Sequence, residues 1–233
     1  MMTEPAVRDF YRTNRGGGLF SEAVSQWLGA ALARVANRLG LPPTGLTLLN
    51  LLFGLGTSAV VAALASRVAA GTLPAWPVGL LALVGWQLAY AFDCADGQLA
   101  RVTGRGSAFG ARLDVLCDVA VQIALVAALS AVAVAQRHGT PTWLVATFAG
   151  TWMVNLVTSV MQAGPNAGSM VASRSLPVRA VKLVRDYGAV IFVAGLVLTL
   201  VPAWTLWLIA AFTLVNGLFL LASIAFSARA TLR

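Results

Sequence analysis

Acidic residues are scarce in this chain of 233 residues, which has 8 Asp and Glu against 16 Lys and Arg. Charged residues make up only 10% of it and hydrophobic residues 59%, whereas about 25% of an ordinary soluble domain is charged. The composition therefore excludes a soluble globular protein and predicts a multi-spanning membrane protein. We expect no nucleic-acid partner, because the distribution of the basic residues along the chain is explained by the orientation of a membrane protein and by the binding of anionic ligands.

Cysteine and histidine are nearly absent, with only Cys94, Cys117 and His138 in the whole chain. The two cysteines lack the spacing of a metal site, and we interpret them as small packing residues. The histidine is interpreted as a polar loop residue. A zinc centre is therefore not expected, because zinc sites are built mainly from these two residue types.

Half of the acidic residues are concentrated in one stretch of 26 positions, at the borders of two long apolar runs. The four, named the aspartate group below, are Asp93, Asp96, Asp114 and Asp118. An ionised Asp costs about 2.5 to 3.5 kcal/mol at the centre of a membrane helix, so four together predict a neutralising cation. Carboxylate oxygens suit Mg²⁺, Mn²⁺ or Ca²⁺, and two divalent ions would balance four carboxylates.

The spacing of the aspartate group indicates one site rather than two. Asp93 and Asp96 are three residues apart, and Asp114 and Asp118 are four apart, so each pair projects from one helix face. The apolar runs 76–92 and 119–135 are of equal length, about 25 Å as helices. A short connection containing glycine joins the two helices, so we expect antiparallel neighbours with all four carboxylates at one membrane depth.

The same stretch matches the pattern D-x2-D-G-x2-A-R-x8-G-x3-D-x3-D without a gap or a substitution. Its fixed positions are Asp93, Asp96, Gly97, Ala100, Arg101, Gly110, Asp114 and Asp118. In this pattern the chain resembles the CDP-alcohol phosphotransferases. The resemblance implies a homodimeric membrane enzyme of phospholipid biosynthesis. Such an enzyme transfers a substituted phosphate from a CDP-alcohol, here CDP-diacylglycerol, to a polar alcohol acceptor and releases CMP.

The resemblance also implies roles for individual residues. The aspartate group would bind two Mg²⁺ or Mn²⁺ ions that bridge the donor phosphates, and Asp118 would also be the catalytic base. The expected donor-binding residues are Thr47, Gly97, Ala100, Arg101 and Gly110. The small residues among these are equally consistent with helix packing, and Arg101 with a membrane anchor. Thr47 belongs to the segment PTGLT, in which Thr44 replaces the asparagine common in the family.

A basic cluster follows the fourth apolar segment and is the expected acceptor site. Its members are Arg174, Arg179, Lys182 and Arg185. Arginine and lysine suit an anionic acceptor such as an inositol phosphate or a glycerol phosphate, because they neutralise and orient phosphate oxygens. Membrane topology alone would also explain the cluster.

The hydrophobic pattern predicts an all-α integral membrane protein with six transmembrane helices and an N-terminal interfacial amphipathic helix. We expect a mobile cytoplasmic tail at 1–18, the interfacial helix at 19–40, a six-helix transmembrane domain at 43–228 and a cytoplasmic C-terminus at 229–233. Within the domain, the predicted helices are 44–66, 76–101, 107–135, 142–162, 187–201 and 203–226.

The basic residues predict the orientation of these helices. All 16 Lys and Arg residues except Arg67 and Arg137 fall on the side of the aspartate group, and such an excess marks the cytoplasmic side. We therefore expect a multi-pass protein of the cell membrane with its active site and both termini in the cytoplasm. Tryptophans at the starts of the second, fourth and sixth helices would form the opposite interfacial belt.

Two further functions remain open at this point. A related enzyme could take a soluble CDP-alcohol as donor and a lipid or polyol as acceptor. A cation transporter could also use intramembrane carboxylates, but it would place them near the bilayer midplane in broken helices. In this sequence the carboxylates fall at the ends of the apolar runs, which favours the enzyme.

Overall fold

The computed structural model describes residues 4–14, 16–162 and 185–231, and within these ranges the chain is helical with no strand. The helices are α1 (Val7–Tyr11), α2 (Gln26–Arg38), α3 (Pro43–Ala69), α4 (Ala75–Thr103), α5 (Ala108–Gln136), α6 (Thr142–Gln162), α7 (Tyr187–Leu200) and α8 (Thr205–Thr231). A π-helical turn, Ser21–Ser25, leads into α2, and a 3₁₀ turn, Pro202–Trp204, leads into α8. The predicted all-α fold is confirmed.

Four of the described helices are long and apolar enough to cross a membrane: Pro43–Ala69, Ala75–Thr103, Ala108–Gln136 and Pro202–Ala225. The apolar helices Thr142–Val154 and Tyr187–Leu200 are shorter. The membrane character is thereby supported, and six spans stay a prediction. The tryptophans expected in the outer belt are all largely exposed, namely Trp76, Trp143 and Trp204.

The N-terminal segment differs from the mobile tail that we expected. It contains α1, whose Phe10 is completely buried. The ring of Tyr11 stacks on Trp27 of α2 with centroids 4.1 Å apart, and Glu4 forms an ion pair with Arg38 at 2.5 Å. The polar composition of the segment did not reveal these contacts, because they are made by two aromatic side chains and one ion pair with α2 and its neighbours.

Helix α2 buries small residues and exposes large apolar ones. Its packed side includes Gly29, Ala30 and Ala33, whereas Leu28 and Val35 are about half exposed. A Cβ atom on Gly29 would lie 2.7 Å from the Cβ of Cys94 in α4. The small residues allow α2 to lie directly on α4, and its outer apolar side chains suit an interfacial helix.

Three helices pack on α4, namely α2, α3 and α7. Helix α3 also packs along α5, and α6 packs on α8. The α4 and α7 backbones meet very closely, since a Cβ on Gly79 would lie 2.2 Å from the backbone nitrogen of Thr199. A Cβ on Gly195 would likewise lie 2.6 Å from the Cα of Leu83. The helix that carries Asp93 and Asp96 is therefore held in a fixed register.

Candidate active site

The turn between α4 and α5 brings the two halves of the aspartate group together. Helix α4 ends at Gly104, which has φ +66°, a left-handed conformation that glycine adopts without strain. Helix α5 begins at its N-cap Ser107, whose hydroxyl accepts a hydrogen bond of 2.9 Å from the Gly110 N–H. This connection is short and reverses the chain, but the direct packing of α4 on α5 that we expected is wrong, because α3 packs along both helices while α4 and α5 have almost no backbone contact with each other.

Three carboxylates of the aspartate group converge. Asp93 of α4 and Asp114 and Asp118 of α5 each offer an oxygen atom, and these atoms lie within 4.8 Å of one another. Asp96 lies beside Asp114, within hydrogen-bonding range of its carboxyl group. At 4.8 Å, two full negative charges repel each other by about 3.5 kcal/mol with an effective dielectric constant of about 20. The arrangement is therefore one that a cation would stabilise.

Helix α3 supports this group through two polar side chains. The Thr47 hydroxyl donates to Oδ2 of Asp96 at 2.5 Å, and Nδ2 of Asn50 donates to Oδ1 of Asp118 at 3.1 Å. Thr47 and Asn50 are 3% and 2% exposed, so they lie behind the carboxylates and orient them. A donor-binding role for Thr47 stays a prediction.

Asn50 was missed by the sequence analysis, although a signal was available. It lies three residues after Thr47 in an apolar helix, and residues three apart share one face of a helix. Thr57 and Ser58 continue the buried polar positions of α3.

The residues present fit a divalent cation. All the converging ligands are carboxylate oxygens, which Mg²⁺ and Mn²⁺ prefer. Oδ1 of Asp114 is buried and has no hydrogen-bond partner among the described residues, and a buried carboxylate oxygen requires a partner. The structure thus supports a metal site at Asp93, Asp114 and Asp118, with Asp96 adjacent.

The other signature residues lie on the same turns. A Cβ on Gly97 would lie 2.8 Å from a guanidinium nitrogen of Arg101, so the arginine folds back over the glycine. A Cβ on Gly110 would meet only Ser107 at 3.1 Å and Thr44 at 3.8 Å. Ala100 is partly exposed one turn after Asp96. Donor contacts from these residues stay predictions.

Only one member of the expected acceptor cluster can be described, because Arg174, Arg179 and Lys182 lie outside the described residues. Arg185 precedes α7 and packs its guanidinium over the ring of Phe219 in α8, 3.5 Å from the centroid. Partial burial lowers the pKa of Arg185. A guanidinium that has lost part of its hydration favours an anionic partner.

Comparison with known proteins gives two findings. A profile of the CDP-alcohol phosphatidyltransferase family matches residues 41–215. The chain is also similar to a phosphatidylinositol phosphate synthase of Mycobacterium marinum, with 39% identity over 99 residues. That match covers 38% of this chain and 36% of the relative's length.

Proposed function

The chain belongs to the CDP-alcohol phosphatidyltransferase family, and from this premise we propose that it transfers a phosphatidyl group from CDP-diacylglycerol to an inositol phosphate and releases CMP. Family membership makes it a membrane phosphotransferase of phospholipid synthesis, with a CDP-alcohol donor and an alcohol acceptor. The name of the relative favours an inositol phosphate as acceptor over a glycerol phosphate. The family match and the name of the relative also favour an enzyme over the cation transporter.

The convergence of Asp93, Asp114 and Asp118 is the observation that carries the proposal. The aspartate group would hold two divalent cations, Mg²⁺ or Mn²⁺. Bound there, such ions neutralise phosphate oxygens and make CMP a better leaving group. Asp96 completes the group, with its Oδ2 oriented by Thr47.

Asp118 would be the base of the reaction. Its Oδ1 accepts the hydrogen bond from Asn50, and its other oxygen, Oδ2, would take the proton. The acceptor oxygen would form a bond to the phosphorus that bears diacylglycerol, as the bond from that phosphorus to the CMP oxygen breaks. The acceptor proton goes to Asp118 and the bonding electron pair leaves with CMP.

The acceptor site would include Arg185 together with Arg174, Arg179 and Lys182. Arg185 carries a positive charge at the start of α7, the helix packed against the aspartate-bearing α4. An acceptor phosphate held by these cations would place its hydroxyl near Asp118.

The proposed setting is the cytoplasmic side of the cell membrane. Cytoplasmic termini and active site rest on the distribution of Lys and Arg, in which only Arg67 and Arg137 fall on the opposite side. We also propose that the protein is a homodimer. This proposal rests on the resemblance of its aspartate signature to that of the CDP-alcohol phosphotransferases, which implies a homodimeric enzyme. Cross-linking in native membranes tests the dimer independently of activity.

A transfer assay tests the function. The purified protein is mixed with CDP-diacylglycerol and Mg²⁺ or Mn²⁺, and CMP and the lipid product are measured with inositol phosphate or glycerol phosphate as acceptor. We expect product with inositol phosphate, and its loss in Asp114→Asn. Asp9→Asn, which removes an exposed carboxylate of α1, is the matched control.

Three outcomes would contradict the proposed function in part or in whole. CMP release with glycerol phosphate alone would change the acceptor, and transfer only from a soluble CDP-alcohol such as CDP-glycerol would favour the other donor class. No CMP release from either donor with any acceptor would refute the proposed function.

A further inference from the structure

Asp186 is a buried carboxylate that lies outside the aspartate group, at the start of α7. It is 4% exposed. Its Oδ2 accepts hydrogen bonds from the N–H groups of Phe20 at 2.8 Å and Ser21 at 3.0 Å. Its Oδ1 accepts from the Gly188 N–H at 3.1 Å and from the Ser21 hydroxyl. One carboxylate therefore caps two helical segments, because N–H groups at helix starts lack partners within the helix.

Two glycines make room for this carboxylate. A Cβ on Gly18 would lie 2.1 Å from Oδ2 of Asp186. A Cβ on Gly188 would lie 2.9 Å from both the Ser21 and Ser25 hydroxyl oxygens. We call this arrangement the Asp186 cradle, comprising Gly18, Phe20, Ser21, Asp186 and Gly188. It is a close fit to a carboxylate, and larger side chains at either glycine would break it.

The Asp186 cradle is joined to α4 near the catalytic aspartates. The Ser21 hydroxyl is 3.0 Å from the hydroxyl of Tyr90, which precedes Asp93 by one helical turn. One turn earlier in α4, Nε2 of Gln87 donates to the Gly188 carbonyl at 2.8 Å. The start of α7 is thus tied by side-chain hydrogen bonds to the helix that carries Asp93.

Asp186 is flanked by Arg185 and Tyr187, whose side chains each contact an aromatic ring. Tyr187 packs edge-on against Tyr90 with centroids 4.9 Å apart, and it lies within electrostatic range of Asp93 and Asp118. Arg185 lies over Phe219. The place of both side chains relative to the aspartate group therefore depends on where the start of α7 is held.

We propose that Asp186 is a positioning residue for the acceptor: it caps the interfacial segment and α7 together and so fixes where Arg185 and Tyr187 lie relative to α4, the helix that carries Asp93. This inference rests on the proposed function. It predicts that loss of the cradle weakens use of the acceptor while metal and donor still bind, because α4 and α5 keep their own contacts with α3.

Two variants break the cradle by different means. Asp186→Asn replaces one accepting oxygen by an NH₂ group and removes the charge, and Gly18→Ala places a methyl group against Oδ2 with no change of charge. Both should raise the KM for inositol phosphate by about tenfold or more, with kcat and CDP-diacylglycerol binding changed less than about threefold.

Two further variants calibrate this result. Ser21→Ala removes only the hydroxyl and keeps both backbone donors, so its effect on KM should be intermediate. Glu4→Gln removes an exposed carboxylate from the same N-terminal segment and should leave all constants unchanged. If Asp186→Asn does not fold, Gly18→Ala and Ser21→Ala still decide the question.

A measurement without substrate separates this inference from the proposed function. Amide hydrogen exchange at Phe20, Ser21 and Gly188 should accelerate about tenfold or more in Asp186→Asn, with the middle of α3 unchanged. If the wild-type protein uses a different acceptor, or none is found, exchange still tests the cradle. Unchanged exchange, or a fall in kcat with the acceptor KM unchanged, would overturn the positioning role.

Discussion

Asp118 is the residue at which charge, metal binding and base chemistry can be tested together. Asp118→Asn keeps the size of the side chain and one oxygen, but it removes the charge and the basicity. We expect CMP release to fall by a factor of about 10² or more while CDP-diacylglycerol still binds. Added Mg²⁺ or Mn²⁺ should not restore the rate, since metal concentration cannot replace a base.

The structure also predicts the effect of Asp118→Asn on stability. Asp118 faces Asp93 and Asp114 within 4.8 Å, and each pair of full charges costs about 3.5 kcal/mol at an effective dielectric constant of about 20. Solvent and weakly bound cations relieve most of this repulsion. We therefore expect the variant to be more stable than wild type by about 1 kcal/mol without metal, a rise in Tm of about 2–4 °C.

Asp96→Asn is the informative comparison. Asp96 accepts from Thr47 and has no role as base in the proposed reaction. Its loss should weaken metal and donor affinity together, and raised Mg²⁺ or Mn²⁺ should restore part of the activity. Asp9→Asn, at an exposed position of α1, controls for loss of an acidic side chain.

The assay measures CMP release against metal concentration for these variants, with thermal unfolding in EDTA and in Mg²⁺. Metal should raise the Tm of wild type more than that of Asp118→Asn. Equal rescue of Asp118→Asn and Asp96→Asn by metal would show that Asp118 is only another ligand. A lower Tm of Asp118→Asn in EDTA would refute the argument from charge repulsion.

Three further predictions concern packing, substrate space and topology. Gly29→Ala should lower stability by about 1–3 kcal/mol, because its Cβ would press on Cys94 at 2.7 Å; thermal unfolding checks this, with Gly56→Ala, which meets nothing within 4 Å, as the control. Gly110→Leu should weaken CDP-diacylglycerol binding more than folding, and normal binding by an intact variant would remove this position from the donor site. A cysteine replacing His138 should react with an impermeant thiol reagent from outside the cell, whereas labelling only from inside would reverse the orientation.

The sequence by itself determined the all-α membrane class and the aspartate group. Long apolar runs can cover their backbone polar groups in a bilayer only as helices. Spacings of three and four residues then place Asp93 with Asp96 and Asp114 with Asp118 on common helix faces. The glycine-containing turn reverses the chain between the two pairs, which lets the carboxylates converge, but the expected direct packing of the two helices was wrong, because α3 packs along both of them. Helix bounds were close for the same reason, since hydrophobic length and helix-ending residues are local signals.

Only the tertiary structure decided which distant residues support the site. Asn50 reaches Asp118 across 68 positions of sequence, and Asp186 reaches Phe20 across 166. Such pairs depend on which helices become neighbours and at what rotation, and no periodicity encodes this. The N-terminal segment was misjudged because polar composition does not reveal that Phe10 and Tyr11 find partners. Side-chain packing and paired hydrogen bonds between remote segments, rather than hydrophobic length, therefore set the geometry around the carboxylates.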